Sequence, residues 1–140
     1  MVEDIMNINF PYKSKGFNPF CELIGLDFTD IKKGYSQCTL KVDEKLFNPH
    51  KVLHGGVIYS MVDTGMGGAI YPLLDIKSET TATIEIKINY FKPVTSGTLI
   101  CNTNVTYKGK RTAVMDSEVL NDGTLVAKAI GTYSIFKVKN

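Results

Sequence analysis

From Ile84 to Tyr90 the chain alternates: Ile84, Ile86, Ile88 and Tyr90 fall on one face, and Thr83, Glu85, Lys87 and Asn89 on the other. This period of two predicts a strand, which Pro93 closes. The preceding stretch has a different pattern. Between His54 and about Leu73 apolar residues occupy most faces of a helix and Asp63 is the sole acidic or basic side chain, so a long, largely buried helix is expected. Its glycines, Gly55, Gly56, Gly65, Gly67 and Gly68, are costly in a helix, and predict that another backbone passes close to it.

Shorter signals complete the order. Asn18 can cap a helix reaching Leu26, with Pro19 at its first position, Phe20, Leu23 and Ile24 on one face, and Gly25 as its stop. Gly34 opens a half-buried strand from Tyr35 to Val42. Lys108-Gly109-Lys110 separates a strand ending near Tyr107 from one starting near Arg111, and Asn121-Asp122-Gly123 turns the chain into a last strand, Thr124 to Phe136. The expected class is α+β: helix, strand, long helix and four strands, with an antiparallel sheet wrapping its apolar face on the long helix.

Composition narrows the partners. With 140 residues, 44% of them apolar, the chain is expected to form a single domain over residues 1–140. A net charge of +2 with interspersed signs leaves no nucleic-acid or membrane footprint, which favours a small-molecule partner. Cys21, Cys38 and Cys101 are odd in number and contain no C-x-x-C pair, pointing to a reducing compartment. The acidic start, Met1-Val2-Glu3-Asp4, is unlike a signal peptide, and Asp63 with five glycines argues against Val52 to Leu74 as a membrane span. A soluble cytoplasmic protein is expected.

Asp63 carries the chemical interest. A carboxylate is costly to bury and therefore points to a task. The same helix opens at Gly55 and Gly56, where N–H groups without intrahelical partners sit at the positive end of the macrodipole and can hold a carbonyl oxygen as it gains charge. A base and an oxyanion site suggest acyl transfer. Eight helical steps separate Gly55 from Asp63, roughly 12 Å of rise, whereas a base must lie within about 3–4 Å of the carbonyl or of a shared water. Either the pair is not catalytic, or a second copy brings its Asp63 to the first copy's Gly55.

The run N-x-x-x-x-x-H-G-G-x-x-x-x-x-x-D-T, from Asn48 to Thr64, followed by Ile88-Asn89-Tyr90-Phe91-Lys92-Pro93, resembles the hotdog-fold acyl-CoA thioesterases of the PaaI-like, phenylacetate-pathway type. The resemblance runs from about Asn18 to Phe136 and leaves residues 1–17 as an N-terminal extension. One departure is Lys51, where many members carry glycine. The resemblance implies that Asp63 activates water or attacks the thioester, that Gly55 supplies the oxyanion N–H, that Asn48 and His54 orient the loop and thioester, and that Thr83 positions the nucleophile. It also implies a site shared between subunits of a homodimer or homotetramer. Gly56 and Thr64 are further expected substrate contacts.

Rival roles remain open at several positions. His54 is a general base or a loop anchor. His50 and His54 have metal-ligand spacing, but Pro49 and Gly55 place them in a loop without a third ligand, so no metal is expected. Lys108, Lys110 and Arg111 hold the phosphates of coenzyme A or form a solvated turn. Cys38 and Cys101 read as inert buried thiols. No cofactor is expected, coenzyme A entering only as part of the substrate. Acyl preference would follow the packing of Tyr59, Met61, Met66 and Tyr71. A non-catalytic acyl-CoA-binding module and a hotdog dehydratase are the rival functions.

Overall fold

The computed structural model describes residues 15–138, so residues 1–14 of the expected extension lie outside the described residues. In chain order the elements are α1 (Pro19–Ile24), β1 (Leu26–Lys32), β2 (Tyr35–Lys41), α2 (Gly55–Ile70), β3 (Glu79–Tyr90), β4 (Thr98–Lys108), β5 (Thr112–Asn121) and β6 (Thr124–Lys137). The strands form one six-stranded sheet in the order β1-β2-β4-β5-β6-β3. Every pairing is antiparallel. The sheet curves around α2, which touches all six strands. Among the described residues, no helix is long and apolar enough to cross a membrane.

Local chemistry explains the boundaries. The Asn18 side chain accepts from the Cys21 N–H at 3.2 Å to start α1, and Gly25, at φ 79°, ends it in the left-handed conformation. Leu26 then begins β1 rather than closing the helix. This strand was not expected, because Asp27, Thr29 and Asp30 interrupt its apolar pattern and a bulge lies between Phe28 and Asp30. At the other end of the core, α2 stops at Ile70 instead of Leu73. Pro72 cannot donate to an α-helical ladder, and Tyr71–Leu73 tightens into a 3₁₀ turn.

The face of α2 that meets the sheet carries Val57, Ile58, Met61, Val62, Met66, Ala69 and Ile70, all buried. Each of the larger side chains contributes about 1.5–3 kcal/mol on burial. Met61 and Met66 are completely enclosed there and so belong to the core, not to an acyl pocket. The expected backbone neighbour of the helix glycines is replaced by side chains. A Cβ on Gly65 would stand 2.9 Å from Thr103 Oγ1, and one on Gly68 would run into the Phe28 ring. Gly67 points into open space within this chain.

The alternation expected in β3 is broken once. A bulge between Thr83 and Glu85 shifts the register against β6, so that Thr83 opposes Tyr133 while Ile86 opposes Gly131. Thr83 consequently lies on the helix side with Ile86, Ile88 and Tyr90, not on the opposite face. Ile84 moves out of the apolar row and is 57% exposed.

Candidate active site

Backbone hydrogen bonds strap down the loop that leads into α2. Asn48 accepts at Oδ1 from the His50 N–H at 2.9 Å and at its carbonyl from the Lys51 N–H at 3.0 Å, while its own N–H donates to Val52 O at 2.8 Å. The tight turn leaves Lys51 at φ 62°. A left-handed conformation costs an L-residue about 1–2 kcal/mol, a cost that glycine at this position would avoid. Beyond the turn, Leu53 N–H donates to Val94 O at 2.8 Å and His54 N–H to Leu46 O at 2.9 Å.

His54 caps the helix. Its Nδ1 accepts from the Gly56 N–H at 2.8 Å, the geometry of a loop anchor, which also commits the Gly56 donor. The Gly55 N–H, one position earlier, has no acceptor among the described residues. Tyr90 Oη donates to Gly55 O at 2.8 Å. The corner opens on a cleft of about 310 Å³ whose lining includes Leu53, Gly55, Ile58, Tyr90, Phe91 and Val94, together with the charged Lys92. It is a largely apolar recess with one unengaged N–H at its edge.

Two turns along the helix, half-buried Asp63 is held at one oxygen. Thr83 Oγ1 donates to Asp63 Oδ1 at 2.7 Å and Tyr133 Oη donates to the same atom at 2.5 Å. The Tyr133 hydroxyl also lies 2.6 Å from the Asp63 carbonyl oxygen. Burial first, and the neighbouring carboxylate second, push the Tyr133 hydroxyl far above the ordinary tyrosine range, so it remains a donor. Asp63 Oδ2 takes no hydrogen bond from any described residue.

Residues 50–128 match the Thioesterase superfamily. The chain belongs to that superfamily. A Saccharolobus solfataricus relative assigned to the esterases is 36% identical over 118 residues, covering 84% of this chain and 77% of its own length. The acyl-coenzyme A thioesterase PaaI of Escherichia coli is 30% identical over 101 residues, 70% of this chain and 68% of that protein. A conserved Pseudomonas aeruginosa protein of known structure superimposes with a TM-score of 0.77 at 31% identity, over 87% of this chain and 95% of its own. The thioesterase is thus PaaI-like, and its curved sheet around one long helix is the hotdog fold that the motif led us to expect.

Within one chain of the thioesterase the expected site residues fall into separate groups. Asn48, His54, Gly55 and Gly56 cluster at the N-terminus of α2, beside the Tyr90 end of β3. Asp63 and Thr83 meet farther along both elements. Thr64 turns toward α1, where its Oγ1 lies 3.8 Å from Cys21 Sγ. Lys110 and Arg111, from the β4–β5 hairpin with Lys108, line a cleft of about 490 Å³ with Lys137, Phe136 and Glu79, toward the opposite end of β3 from Gly55.

Cys38 and Cys101 are closed off from any substrate. Cys38 and Cys101 oppose each other on β2 and β4 and are fully buried, and the hydrogen bond to Cys101 together with burial pushes the Cys38 thiol well up. Among the described residues no group of three metal-ligating side chains forms. Tyr133 is the site neighbour that sequence reasoning did not single out. Its signal was present but weak: a tyrosine at an inward position of a terminal strand needs a partner for its hydroxyl.

Proposed function

We propose that this thioesterase hydrolyses acyl-CoA to a free carboxylic acid and coenzyme A at a site built by two copies of the chain. The observation that carries the reading is Asp63: a carboxylate in an apolar helix, pinned at Oδ1 by two hydroxyl donors and open at Oδ2. The Gly55 N–H of one copy polarises the thioester carbonyl, and Asp63 of the second activates water or attacks the carbonyl itself. Thiolate is a good leaving group, so one base and one or two fixed donors suffice, with no metal or cofactor in the chemistry. The acyl-coenzyme A specificity in the name of the Escherichia coli relative supports the substrate class.

Geometry supports the shared site. Tyr90 holds Gly55 while Thr83 holds Asp63, and these two residues lie roughly 20 Å apart along β3 at ~3.3 Å per residue. The groups that must meet at one carbonyl therefore sit apart in a single copy. β3 is an edge strand, and Ile84, Tyr90 and Phe91 along and just beyond it are about half exposed, a surface suited to a second copy. The cationic hairpin of Lys108, Lys110 and Arg111 serves the coenzyme A phosphates.

The test is a panel of short-chain, long-chain and aryl acyl-CoAs, with release of free thiol followed for each. Turnover of at least one at about 1 s⁻¹ or faster is expected of an enzyme on its own substrate class. Saturable binding of acyl-CoA with no thiol released from any of them would instead establish a binding module.

A further inference from the structure

We infer that Tyr133 is a positioning residue of the thioesterase reaction: with Thr83 it locks Oδ1 of Asp63 and thereby makes Oδ2 the reacting oxygen. The inference rests on Asp63 as the reacting carboxylate. Thr83 and Tyr133 are Cα partners in the β3–β6 ladder, placed on the helix side by the bulge that follows Thr83. Their hydroxyls converge on one atom, at 2.7 and 2.5 Å.

Two donors on one oxygen do what one cannot. A carboxylate held by Thr83 alone can still turn about its Cβ–Cγ bond, since χ2 of aspartate is broad and roughly two-fold. With Tyr133 added, rotation breaks two bonds, one of them to a side chain that is 3% exposed and has no room to follow. The same Tyr133 hydroxyl lies 2.6 Å from the Asp63 carbonyl oxygen, so its one proton is shared between the side chain and the backbone of a single residue. Burial raises the phenol well above the ordinary tyrosine range, so it remains a donor at neutral pH. The ring fills the core, and the hydroxyl serves the carboxylate.

The two contributions separate in Tyr133→Phe, which keeps the ring and deletes the donor. In acyl-CoA hydrolysis the variant is expected to lose roughly 10–100-fold in kcat with KM nearly unchanged, the signature of a misoriented group rather than of weaker binding. Since Tyr133 acts through Asp63, adding Tyr133→Phe to Asp63→Asn should lower the residual rate no further. Asp63→Asn alone should cost about 10²–10⁴-fold. If Asp63→Asn retains near-parental turnover, the proposed reaction itself fails. If Asp63→Asn is crippled while Tyr133→Phe is fully active, or if Tyr133→Phe costs the same factor in both backgrounds, the positioning role is overturned and the hydroxyl is only structural.

A second measurement does not require the tyrosine variant to fold. The Tyr133 hydroxyl proton, sheltered and bonded to a carboxylate, should appear downfield of the amide region in the proton NMR spectrum of the parent and move upfield in Asp63→Asn, whose neutral carboxamide oxygen is a weaker acceptor. Its absence from the parent would overturn the lock.

Discussion

Thr83 and Tyr133 stand directly opposite each other on neighbouring strands and both donate to Oδ1 of Asp63. A cross-strand pair is ordinarily a unit of sheet stability. Here it reaches from the sheet to the helix and sets the orientation of the one carboxylate in α2. In the proposed mechanism the helix contributes the reactive group, while the strand ladder decides which of its oxygens is free.

This linkage has an alkaline consequence. Tyr133 is protonated in the fold well past the point at which a free tyrosine, near 10, would ionise. Above that pH the unfolded chain loses a proton that the folded chain keeps. Stability contributed by the buried phenol is therefore present below about pH 10 and declines as pH rises, by up to about 1.4 kcal/mol per pH unit for one proton. Denaturant melts between pH 8 and 11 should show this decline in the parent and a flatter one in Tyr133→Phe. Tyr35 and Tyr90, also raised by burial, remain in both proteins and cancel in the comparison. Equal slopes would contradict the assignment.

The helix glycines divide by what they face. Gly65→Ala drives a Cβ to within 2.9 Å of Thr103 Oγ1, a hydroxyl already held at 2.7 Å by Ser117, and should cost about 1–3 kcal/mol. Gly67→Ala meets nothing within 4 Å and should gain about 0.5–1 kcal/mol from helix propensity. Urea titrations rank the two, and the reverse order would refute this packing.

The hairpin cations are expected to bind without assisting the chemistry. Replacing Lys108, Lys110 and Arg111 together by Ala should raise KM for acyl-CoA while leaving kcat little changed, because contacts to remote phosphates are the same in ground and transition states. Calorimetry with coenzyme A gives the direct comparison. Unchanged affinity would make the cluster a solvated turn.

Much of this architecture was legible from patterning. The long helix, β2 and the last four strands follow from periodicity and from turns such as Asn121-Asp122-Gly123, where Asp122 and Gly123 adopt φ 47° and 86°. β1 escaped because two aspartates and a bulge blur its alternation. Asp63, His54 and Thr83 were legible as a motif, but the face of Thr83 was not. A strict period of two sends it away from the helix, and only strand pairing reveals the extra residue that brings it back. Tyr133 was hidden for a related reason. Its partner lies 70 residues earlier in the chain, and nothing local to β6 specifies a carboxylate above it.

The central claim, one site assembled from two copies, is tested most directly by complementation. Asp63→Asn destroys the base; Gly55→Leu blocks the donor corner, where even a Cβ would touch the Tyr90 ring at 3.3 Å. The two variants are co-expressed with different affinity tags, the heterodimer is isolated by sequential purification, and thioester hydrolysis is measured against both homodimeric parents. In the heterodimer one site draws Gly55 from one chain and Asp63 from the other and is whole, while the second site carries both lesions. The account predicts recovery to about half of the unmutated activity per dimer, with both parents nearly inactive. A heterodimer no more active than its parents would contradict it.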